Sequence, residues 1–342
     1  MSEPEVRQIV LASRPKGPPT AENFRLEAVP MPSLPPGGLL LRVLYLSLDP
    51  YMRGRMDDRK SYARSVGVGD VMTGESVCEV VASDRQGYAP GDIVLAHTGW
   101  RTHAAWEGPA LRKLDPKLAP ITTGLGVLGM PGFTAYSGLY VLGKPKAGET
   151  VVVAAASGPV GSLVGQLAKM AGARAVGIAG GAEKCRYVVD DLRFDACIDH
   201  RAPDLPAKLA AECPKGIDVY FENVGGEVFD AVFPLLNAFA RVPVCGLIAH
   251  YNDTEVKPPK WAASLMRNIL TKRLTIRGFI VSDFAARHAD FLRDMSGWVR
   301  EGKVKYKEFV TEGLDSAPAA FMGLLKGANF GKQLVRVGPD KG

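Results

Sequence analysis

The sequence has few cysteines, and their spacing excludes the patterns that cysteine-rich proteins need. There are five in 342 residues, an odd total without a C-x-x-C pair. A disulfide framework usually has an even number of cysteines, and a structural zinc site has closely spaced pairs of ligands. We therefore expect reduced thiols in an intracellular protein. The five are Cys78, Cys185, Cys197, Cys213 and Cys245.

Long apolar runs and dense basic runs are missing as well. No stretch approaches the roughly 18 uncharged apolar residues of a membrane span. The N-terminus, MSEPEVRQIVLASRP, carries acidic residues where a signal peptide carries basic ones. The net charge of +6 is spread along the chain, unlike the basic patches that bind nucleic acid. We expect a soluble, cytoplasmic protein with neither membrane nor nucleic acid as a partner.

The chain is long and apolar enough for about two domains with buried cores, since 46% of its residues are hydrophobic. From about Glu149, short apolar runs alternate with helix-like segments, which predicts βαβ units and a doubly wound parallel sheet of the α/β class. The runs are TVVVAAA, ARAVGIA, ACID, DVYFENV, RVPVCGLI and LTIRGFIV.

The region before Glu149 has a different texture. Short strand-like segments such as GGLLLRVLYLSL and ESVCEVVAS stand among prolines and glycines, which predicts a β-rich first domain. Residues 13–38 are expected to be mostly irregular. The tail YKEFVTEG to GKQLVRVG again looks strand-like, and we expect it to return to the first domain.

A glycine-rich turn follows the first apolar run of the α/β region. Ala156, Gly158 and Gly161 form A-x-G-x-x-G between a strand and a helical pattern, the context in which this motif binds a dinucleotide. Small residues let the backbone approach a pyrophosphate, and the helix start offers N–H groups and a positive dipole end. Ser157 adds a hydroxyl donor. The alternative is a turn that needs glycine only for packing.

The end of the second strand bears on which nicotinamide cofactor binds. NAD sites usually place a carboxylate there for the ribose hydroxyls, whereas this chain has Gly180-Gly181-Ala182. Lys184, helped by His200, Arg201 or Arg186, can neutralise a 2′-phosphate, which favours NADPH. The alternative is a ribose contact from the adjacent Glu183.

Several strings in the sequence occur together in one known group of enzymes. They are DPYMRGRM from Asp49, MPGFTAYSGL from Met130, AAASGPVGSLVGQLAK from Ala154, YFENVGG from Tyr220, CGLIAHYN from Cys245, GFIVSDF from Gly278 and GANFGKQLV from Gly327. In this order they resemble the prostaglandin reductase, leukotriene dehydrogenase and alkenal double-bond reductase group. That group is a zinc-independent branch of the medium-chain dehydrogenase/reductase superfamily.

The resemblance implies a GroES-like catalytic and substrate domain of residues 1–122 with 303–342, and a Rossmann NADPH-binding domain of residues 123–302. It also implies NADPH and often a homodimer. His200 stands where the group commonly has a tyrosine on the 2′-phosphate side, although an imidazole can still donate to a phosphate. With the turn, the implied cofactor contacts are Ser157, Gly158, Pro159, Val160, Gly161, Lys184, His200, Asn223, Cys245, Gly246, Tyr251, Phe279, Ile280, Val281 and Asn329.

Neither metal site of the zinc alcohol dehydrogenases is expected. Those enzymes carry a GHE motif and a four-cysteine lobe, whereas this chain reads MTGESVCEVV, without a histidine before Glu75. His97 and His103 lack a third ligand in the sequence nearby. We therefore predict no metal.

Conjugate reduction suits a site without zinc, because hydrogen bonds can stabilise the enolate that forms when hydride reaches the β-carbon of an enone. We predict NADPH-dependent reduction of the C=C bond of α,β-unsaturated aldehydes or ketones, with Tyr251 and a cofactor ribose hydroxyl beside the enolate oxygen. The α-carbon proton then comes from Tyr251 or water. Tyr51, in the DPYMRG loop, is the second catalytic candidate.

Three alternatives stay open from the sequence. The chain could be an NADPH quinone oxidoreductase of the same superfamily, or a non-catalytic NADPH-binding protein. Either tyrosine could also be an ordinary packing residue whose hydroxyl finds a local partner. Lipid-derived enones, plant phenolic enones and small reactive aldehydes are all compatible substrates.

Overall fold

The computed structural model describes residues 6–255 and 262–341. The chain divides into two compact units, Met1–Leu125 with Glu308–Gly342, and Gly126–Lys307. The strands, in chain order, are β1 Val6–Leu11, β2 Phe24–Val29, β3 Leu39–Ser47, β4 Ser76–Ser83, β5 Ile93–Ala96, β6 His103–Trp106, β7 Lys113–Leu114, β8 Thr150–Ala154, β9 Arg174–Ala179, β10 Ala196–Asp199, β11 Ile217–Phe221, β12 Leu236–Val244, β13 Thr275–Gly278, β14 Glu308–Glu312 and β15 Lys332–Arg336.

The α-helices are short, because glycine, proline and 3₁₀ turns end them early. They are α1 Tyr51–Arg55, α2 Met130–Ser137, α3 Gly161–Met170, α4 Ala182–Asp190, α5 Leu205–Glu212, α6 Gly226–Val232, α7 Leu265–Lys272, α8 His288–Arg300 and α9 Ala317–Leu325. Within the two described ranges, no helix has the length and apolar character needed to cross a membrane.

The second unit contains, in its described part, a six-stranded sheet of order β10-β9-β8-β11-β12-β13. Every neighbouring pair in it is parallel. Numbered along the chain, this is the order 3-2-1-4-5-6 of a dinucleotide-binding Rossmann sheet. The predicted α/β fold class, with a separate β-rich sheet, is confirmed.

Apolar side chains cover this sheet on both faces. Val151 and Val153 belong to a buried cluster shared with α3 and α8, whereas Val152 and Ala154 belong to a second cluster shared with α5 and α6. A strand that is buried on both faces gains nothing from polar alternation. The continuous run TVVVA therefore forms β8, whose carboxyl end leads directly into the glycine-rich turn.

The first unit contains a mainly antiparallel sheet in the described residues, of order β14-β15-β3-β4-β5-β7 with β6 also paired to β3. β15 runs antiparallel to β3, so the C-terminal strand joins the N-terminal strands. Phe24, Trp100 and Phe321 pack together there, with Phe24 and Trp100 stacked at 5.6 Å. Residues 13–38 are irregular apart from β2 and a 3₁₀ turn, Ala21–Asn23.

Candidate active site

The turn after β8 is shaped by close contacts within its own backbone. Ala155 has a φ of +54°, a conformation that costs a non-glycine residue about 1–2 kcal/mol. A Cβ atom on Gly161 would lie 2.3 Å from the Ala155 carbonyl oxygen, and one on Gly158 would lie 3.2 Å from it. Glycine at position 161 is therefore a steric requirement. The alternative that the turn needs glycine only for packing accounts for glycine at position 161. It does not account for the direction in which α3 begins.

The same turn directs the first N–H groups of α3 out of the carboxyl edge of the sheet. α3 begins at Gly161 after Val160, and among the described residues no side chain caps it. The N–H of Gly158 donates to the Ala155 carbonyl at 2.9 Å, and that of Ser162 donates to the Gly158 carbonyl at 3.0 Å. Ser157 is buried beneath the turn. A helix start of this kind binds anions through its amides and dipole. Pro159 completes the turn between Gly158 and Val160.

Three basic side chains come together at the end of β9. A Cβ atom on Gly180 would lie 2.9 Å from Nε2 of His200 and 3.0 Å from Nε of Arg201. Burial lowers the pKa of Lys184, and the nearby Arg201 guanidinium lowers it further. Burial likewise lowers the pKa of His200, with Arg201 and Lys184 contributing in the same direction. The three groups therefore lie within electrostatic reach of each other, as a phosphate site requires.

The two other charged residues considered for this position are exposed. Arg186 and Glu183 lie on the exposed surface of α4, and His200 and Arg201 are exposed as well, whereas Lys184 is half-buried. The backbone at Gly181 has a φ of +98°, which only glycine adopts without strain. The structure thus groups Lys184, His200 and Arg201, and Glu183 is close enough to raise the pKa of Lys184, so a ribose contact from Glu183 stays an alternative prediction.

Asp199 organises this basic cluster, and its role was not predicted from the sequence. Its Oδ1 accepts N–H groups from Gly181 at 2.8 Å and from Arg201 at 2.9 Å. The hydrogen bond from Gly181 is the largest cause of the lowered pKa of the Asp199 carboxyl. A carboxylate at the end of β10 therefore fixes the loop before α4 and the backbone of Arg201.

Asn223, in the YFENVGG string, joins two strand ends. Its Nδ2 donates to the Ala154 carbonyl at 2.9 Å, which ties the end of β11 to the end of β8. It does not cap α6, where Gly225 holds the N-cap position. The amide of Asn223 therefore lies at the carboxyl edge of the sheet, beside the glycine-rich turn.

Glu222 is buried under the same string. Its Oε1 accepts from the N–H groups of Val224 at 2.6 Å and Gly225 at 2.9 Å, and from the Tyr220 hydroxyl at 3.0 Å. Its Oε2 is buried and has no partner among the described residues. Burial raises the pKa of Glu222. This carboxyl group supports the ENVGG turn from inside the protein.

The loop after β12 carries the predicted catalytic Tyr251. The N–H groups of Cys245 and Gly246 donate to the Glu222 carbonyl at 2.9 and 3.2 Å. A Cβ atom on Gly246 would lie 3.1 Å from the Tyr251 hydroxyl, so that hydroxyl lies over the Gly246 backbone. Burial raises the pKa of the Cys245 thiol to about 12, and the thiol stays protonated at neutral pH.

His250 fastens this loop to the ENVGG turn, and sequence reasoning missed it. Its Nε2 accepts the Gly226 N–H at 3.1 Å, and its Nδ1 is 2.8 Å from Oδ2 of Asp253. Because Nε2 is the acceptor, Nδ1 carries the proton and donates to Asp253. A Cβ atom on Gly225, whose φ is +76°, would meet the His250 ring at 2.8 Å. In the sequence, the pair Gly225-Gly226 is the feature that could have indicated a side chain packed against this turn.

Three of the implied cofactor contacts, Phe279, Ile280 and Val281, follow β13. The Phe279 ring is buried against Phe221 at 6.2 Å and Phe284 at 5.8 Å. The N–H of Ile280 donates to Oδ2 of Asp283 at 3.0 Å. Val281 begins a 3₁₀ segment, Val281–Arg287. The Phe279 side chain therefore belongs to the core, and a cofactor contact at this residue would come from its backbone.

In the first unit, Tyr51 starts α1 rather than lying in a loop. Burial raises its pKa, with the carboxylates of Asp49 and Glu75 adding to the shift. The hydroxyl therefore stays protonated and can donate a hydrogen bond. Lys332 donates to Oδ1 of Asp49 at 2.6 Å and to the Leu48 carbonyl at 2.8 Å.

Two further residues of the first unit have structural partners. Arg53 is buried, pairs with Asp57 at 2.7 Å and donates to the Gly17 carbonyl at 2.9 Å, so it anchors α1. Nδ2 of Asn329, a predicted cofactor contact, donates to the Gly331 carbonyl at 2.7 Å. Its cofactor role stays a prediction.

Glu75 stands in the sequence where the zinc enzymes have the glutamate of the GHE motif, and its carboxyl group is half-buried. Burial raises the pKa of Glu75, and His97 opposes the shift with its Nε2 3.8 Å from Oε1. Nδ1 of His103 lies 3.2 Å from the Thr102 hydroxyl. Across residues 6–255 and 262–341, no three His, Cys, Asp or Glu side chains are grouped as metal ligands.

Comparison with known families matches the greater part of the chain. Residues 7–114 match the model of the N-terminal domain of oxidoreductase. Residues 159–297 match the model described as zinc-binding dehydrogenase. The second match spans the glycine-rich turn, the basic cluster and the Tyr251 loop.

Individual proteins are similar over nearly the whole chain. NADPH-dependent curcumin reductase of Escherichia coli (strain K12) is 54% identical over 336 residues, covering 98% of this chain and 97% of the relative. Prostaglandin reductase 1 of Rattus norvegicus is 42% identical, covering 94% and 96%. The crystal structure of CurA in complex with NADPH from Vibrio vulnificus has a TM-score of 0.94 at 52% identity, covering 97% of this chain and 99% of that one.

Proposed function

This chain belongs to the curcumin, prostaglandin and alkenal reductase group of the medium-chain dehydrogenase/reductase superfamily, and we propose that it reduces the C=C bond of α,β-unsaturated aldehydes and ketones with NADPH. The named activities of the relatives support a reductase that uses NADPH. The substrate class is our proposal.

The observation that carries the proposal is the convergence of three features at one edge of a parallel sheet. The turn after β8, the basic cluster after β9 and the Tyr251 loop after β12 all follow carboxyl ends of strands. Dinucleotides bind at that edge in doubly wound sheets. We therefore assign all three features to one dinucleotide ligand: the glycine-rich turn, the basic cluster and the Tyr251 hydroxyl.

The residues present fit NADPH. The N–H groups at the start of α3, which no described side chain caps, suit the close approach of a pyrophosphate. Lys184, His200 and Arg201 suit a 2′-phosphate, since charge-assisted hydrogen bonds to phosphate are strong. When bound, NADPH supplies the hydride that the β-carbon of the enone receives.

Tyr251 is proposed to act on the enone oxygen. Its hydroxyl donates a hydrogen bond to the oxygen as negative charge develops there, which lowers the barrier. His250, held by Gly226 and Asp253, fixes the loop so that the hydroxyl needs little reorganisation. The proton at the α-carbon comes from Tyr251 or from water. Tyr51, protonated because burial raises its pKa, is proposed as a second donor.

We propose that the reaction needs no zinc. A metal would polarise the carbonyl as a Lewis acid, and the described residues offer no set of three ligands to hold one. Hydrogen bonding by Tyr251 takes over that role. We expect enone reduction to persist after exhaustive dialysis against a chelator, and loss of activity that zinc restores would contradict the proposal.

The test of the function is NADPH oxidation with a simple enone, with identification of the saturated product. We expect Tyr251→Phe to lower turnover by roughly 100-fold, the size of a general acid–base contribution, with little change in NADPH affinity. Tyr140→Phe is the matched control, since its hydroxyl makes only a 3.4 Å contact with the Leu167 carbonyl.

Two outcomes would reject the assignment. Turnover of a small quinone without turnover of enones would identify a quinone oxidoreductase instead. Tight NADPH binding without oxidation by any enone or quinone would identify a binding protein. Unchanged turnover in Tyr251→Phe would leave the proposed activity in place and would show that Tyr251 has no catalytic role in it.

We also propose the homodimer that the family resemblance implies. Met266 and Leu270 on α7 are about three-quarters exposed, at 74% and 75%, and Phe239 on β12 is 62% exposed. Large exposed apolar side chains on two elements that pack together, as α7 and β12 do, are typical of protein interfaces. Sedimentation should give twice the chain mass, and Met266→Glu with Leu270→Glu should give the monomer.

A further inference from the structure

Cys185 and Cys197 lie beside the basic cluster and share a side-chain hydrogen bond. We propose that they are a peroxide-sensitive pair that forms an intramolecular disulfide and thereby weakens NADPH binding. This inference rests on the proposed function only in assigning Lys184, His200 and Arg201 to the 2′-phosphate. Formation of the disulfide itself is independent of that assignment.

The secondary structure brings the two thiols onto one face. Cys197 in β10 packs against the apolar cluster that contains Val188, and Val188 lies three residues after Cys185 on α4. Residues at this spacing share a face of a helix. A Cβ atom on Gly177 of β9 would lie 3.0 Å from Val188 and 3.3 Å from Sγ of Cys197. Because Gly177 has no side chain, α4 and Cys197 can approach each other above it. Both cysteines are unbridged and partly exposed.

The hydrogen bond gives the two thiols different reactivities. It lowers the pKa of Cys185, because the Cys197 S–H donates to the Cys185 thiolate. The same bond raises the pKa of Cys197, and burial adds to that shift. Since the thiolate is the nucleophile, Cys185 reacts with peroxide and Cys197 is the resolving thiol.

The chemistry balances with hydrogen peroxide as the oxidant. The Cys185 thiolate attacks one oxygen of the peroxide, and the O–O bond breaks. Hydroxide departs, and Cys185 becomes a sulfenic acid. The Cys197 sulfur then attacks the Cys185 sulfur, and the sulfenic oxygen leaves as water with the Cys197 proton. Two thiols are oxidised to a disulfide, and one peroxide is reduced to two waters.

The disulfide would distort the phosphate cluster because of where the thiols lie in the chain. Lys184 precedes Cys185, while Asp199, His200 and Arg201 follow Cys197 closely. Joining the two sulfurs covalently draws them closer than a hydrogen bond does. That movement acts against the hydrogen bonds from Gly181 and Arg201 to Asp199, which hold the loop before α4. Lys184 then shifts relative to Arg201, and binding of a 2′-phosphate is weakened.

The experiment treats the full-length protein with stoichiometric hydrogen peroxide and measures intact mass, peptide mapping after alkylation, and dissociation constants for NADPH and NADH. We expect loss of two hydrogen atoms, a Cys185–Cys197 cross-link, and NADPH binding about ten-fold weaker. NADH lacks the 2′-phosphate and is the matched control ligand, with unchanged affinity. A thiol reductant should restore both mass and affinity.

Cys185→Ser and Cys197→Ser should each keep the NADPH affinity of the reduced protein and lose its response to peroxide. Oxidation of Cys185 to sulfinic acid with Cys197 still reduced would overturn the inference, as would a disulfide that leaves NADPH affinity unchanged. The reduced protein is assayed with enones in parallel. Failure there rejects the proposed function, whatever the thiols do.

Discussion

The glycine-rich turn after β8 and the basic cluster after β9 are proposed as neighbouring anion sites, and they are built in opposite ways. The turn uses backbone N–H groups and the absence of side chains, and its key contact joins Gly161 to Ala155, six residues earlier. The cluster uses charged side chains from α4 and from the loop after β10, held by Asp199.

The difference predicts different failures. A site made by backbone sterics tolerates no added atom, and we propose that it binds the pyrophosphate that NADPH and NADH share. A site made by side chains loses strength in steps, and we propose that it acts on the 2′-phosphate alone. Substitutions in the two places should therefore separate affinity for any nicotinamide dinucleotide from preference between the two.

The largest effect is expected from Gly161→Ala. The new methyl group would lie 2.3 Å from the Ala155 carbonyl oxygen, so the turn must open. Overpacking of this kind costs about 1–3 kcal/mol, and we expect NADPH and NADH binding to weaken together by roughly 100-fold. Calorimetric titration with both cofactors measures it.

Gly297→Ala is the matched control, because a Cβ atom there meets nothing within 4 Å. It lies inside α8, where alanine should stabilise the helix by up to about 1 kcal/mol. Wild-type affinity for both cofactors in Gly161→Ala would show that the turn does not bind the pyrophosphate.

The next effect is expected from Arg201→Ala. Loss of one charge-assisted contact should weaken NADPH binding about ten-fold and leave NADH binding unchanged, so the preference for NADPH falls by the same factor. The ratio of the two dissociation constants, measured at low and moderate salt, is the readout.

Arg186→Ala removes the same charge from the exposed side of α4 and should leave that ratio unaltered. If Arg186→Ala and Arg201→Ala lowered NADPH affinity equally, general charge rather than a built cluster would explain the preference.

The sequence predicted the turn because its cause is local. Gly161, Gly158 and the strand before them stand in one string, and the fold class followed from the alternation of apolar runs. The basic cluster was predicted from the sequence through Lys184, with His200, Arg201 or Arg186 as its helpers. Asp199 and His250 were missed because each acts on backbone N–H groups that only the folded sheet brings near: Asp199 on Gly181, and His250 on Gly226.

A smaller effect is expected from Asp199→Asn, which tests whether a positioning residue maintains the cluster. The amide accepts more weakly than the carboxylate from Gly181 and Arg201, and we expect NADPH binding to weaken about three-fold. Because the folded pKa of Asp199 is lowered, its contribution to stability is present above the ordinary aspartate pKa and is lost as pH falls through the lower folded value.

The stability difference between wild type and Asp199→Asn should therefore shrink on acidification. Urea unfolding at a series of pH values measures it beside the cofactor ratio. An NADH affinity that falls as far as the NADPH affinity would mean that Asp199 supports the whole edge of the sheet rather than the cluster.

The smallest effect is expected from Glu222→Gln, and its pH dependence should have the opposite sign. Glu222 also accepts backbone N–H groups, but it is buried and its pKa is raised. The contribution of protonated Glu222 to the stability of the protein is fully present below the ordinary glutamate pKa. It is lost as pH rises through the pKa of Glu222 in the folded protein. Glutamine keeps an acceptor for Val224 and Gly225 and never ionises.

Glu222→Gln should therefore match wild type in acid and become more stable toward neutral pH, by on the order of 1 kcal/mol, the cost of a buried acceptor without a partner. Urea unfolding at the pH values used for Asp199→Asn gives both curves. Opposite pH dependences of the stability change in the two variants would show that the exposure of the carboxylate sets the sign of its effect. The hydrogen bonds to backbone N–H groups, which Asp199 and Glu222 share, would then not set it. A difference between Glu222→Gln and wild type that is constant across pH would mean that Oε2 is solvated in the folded protein.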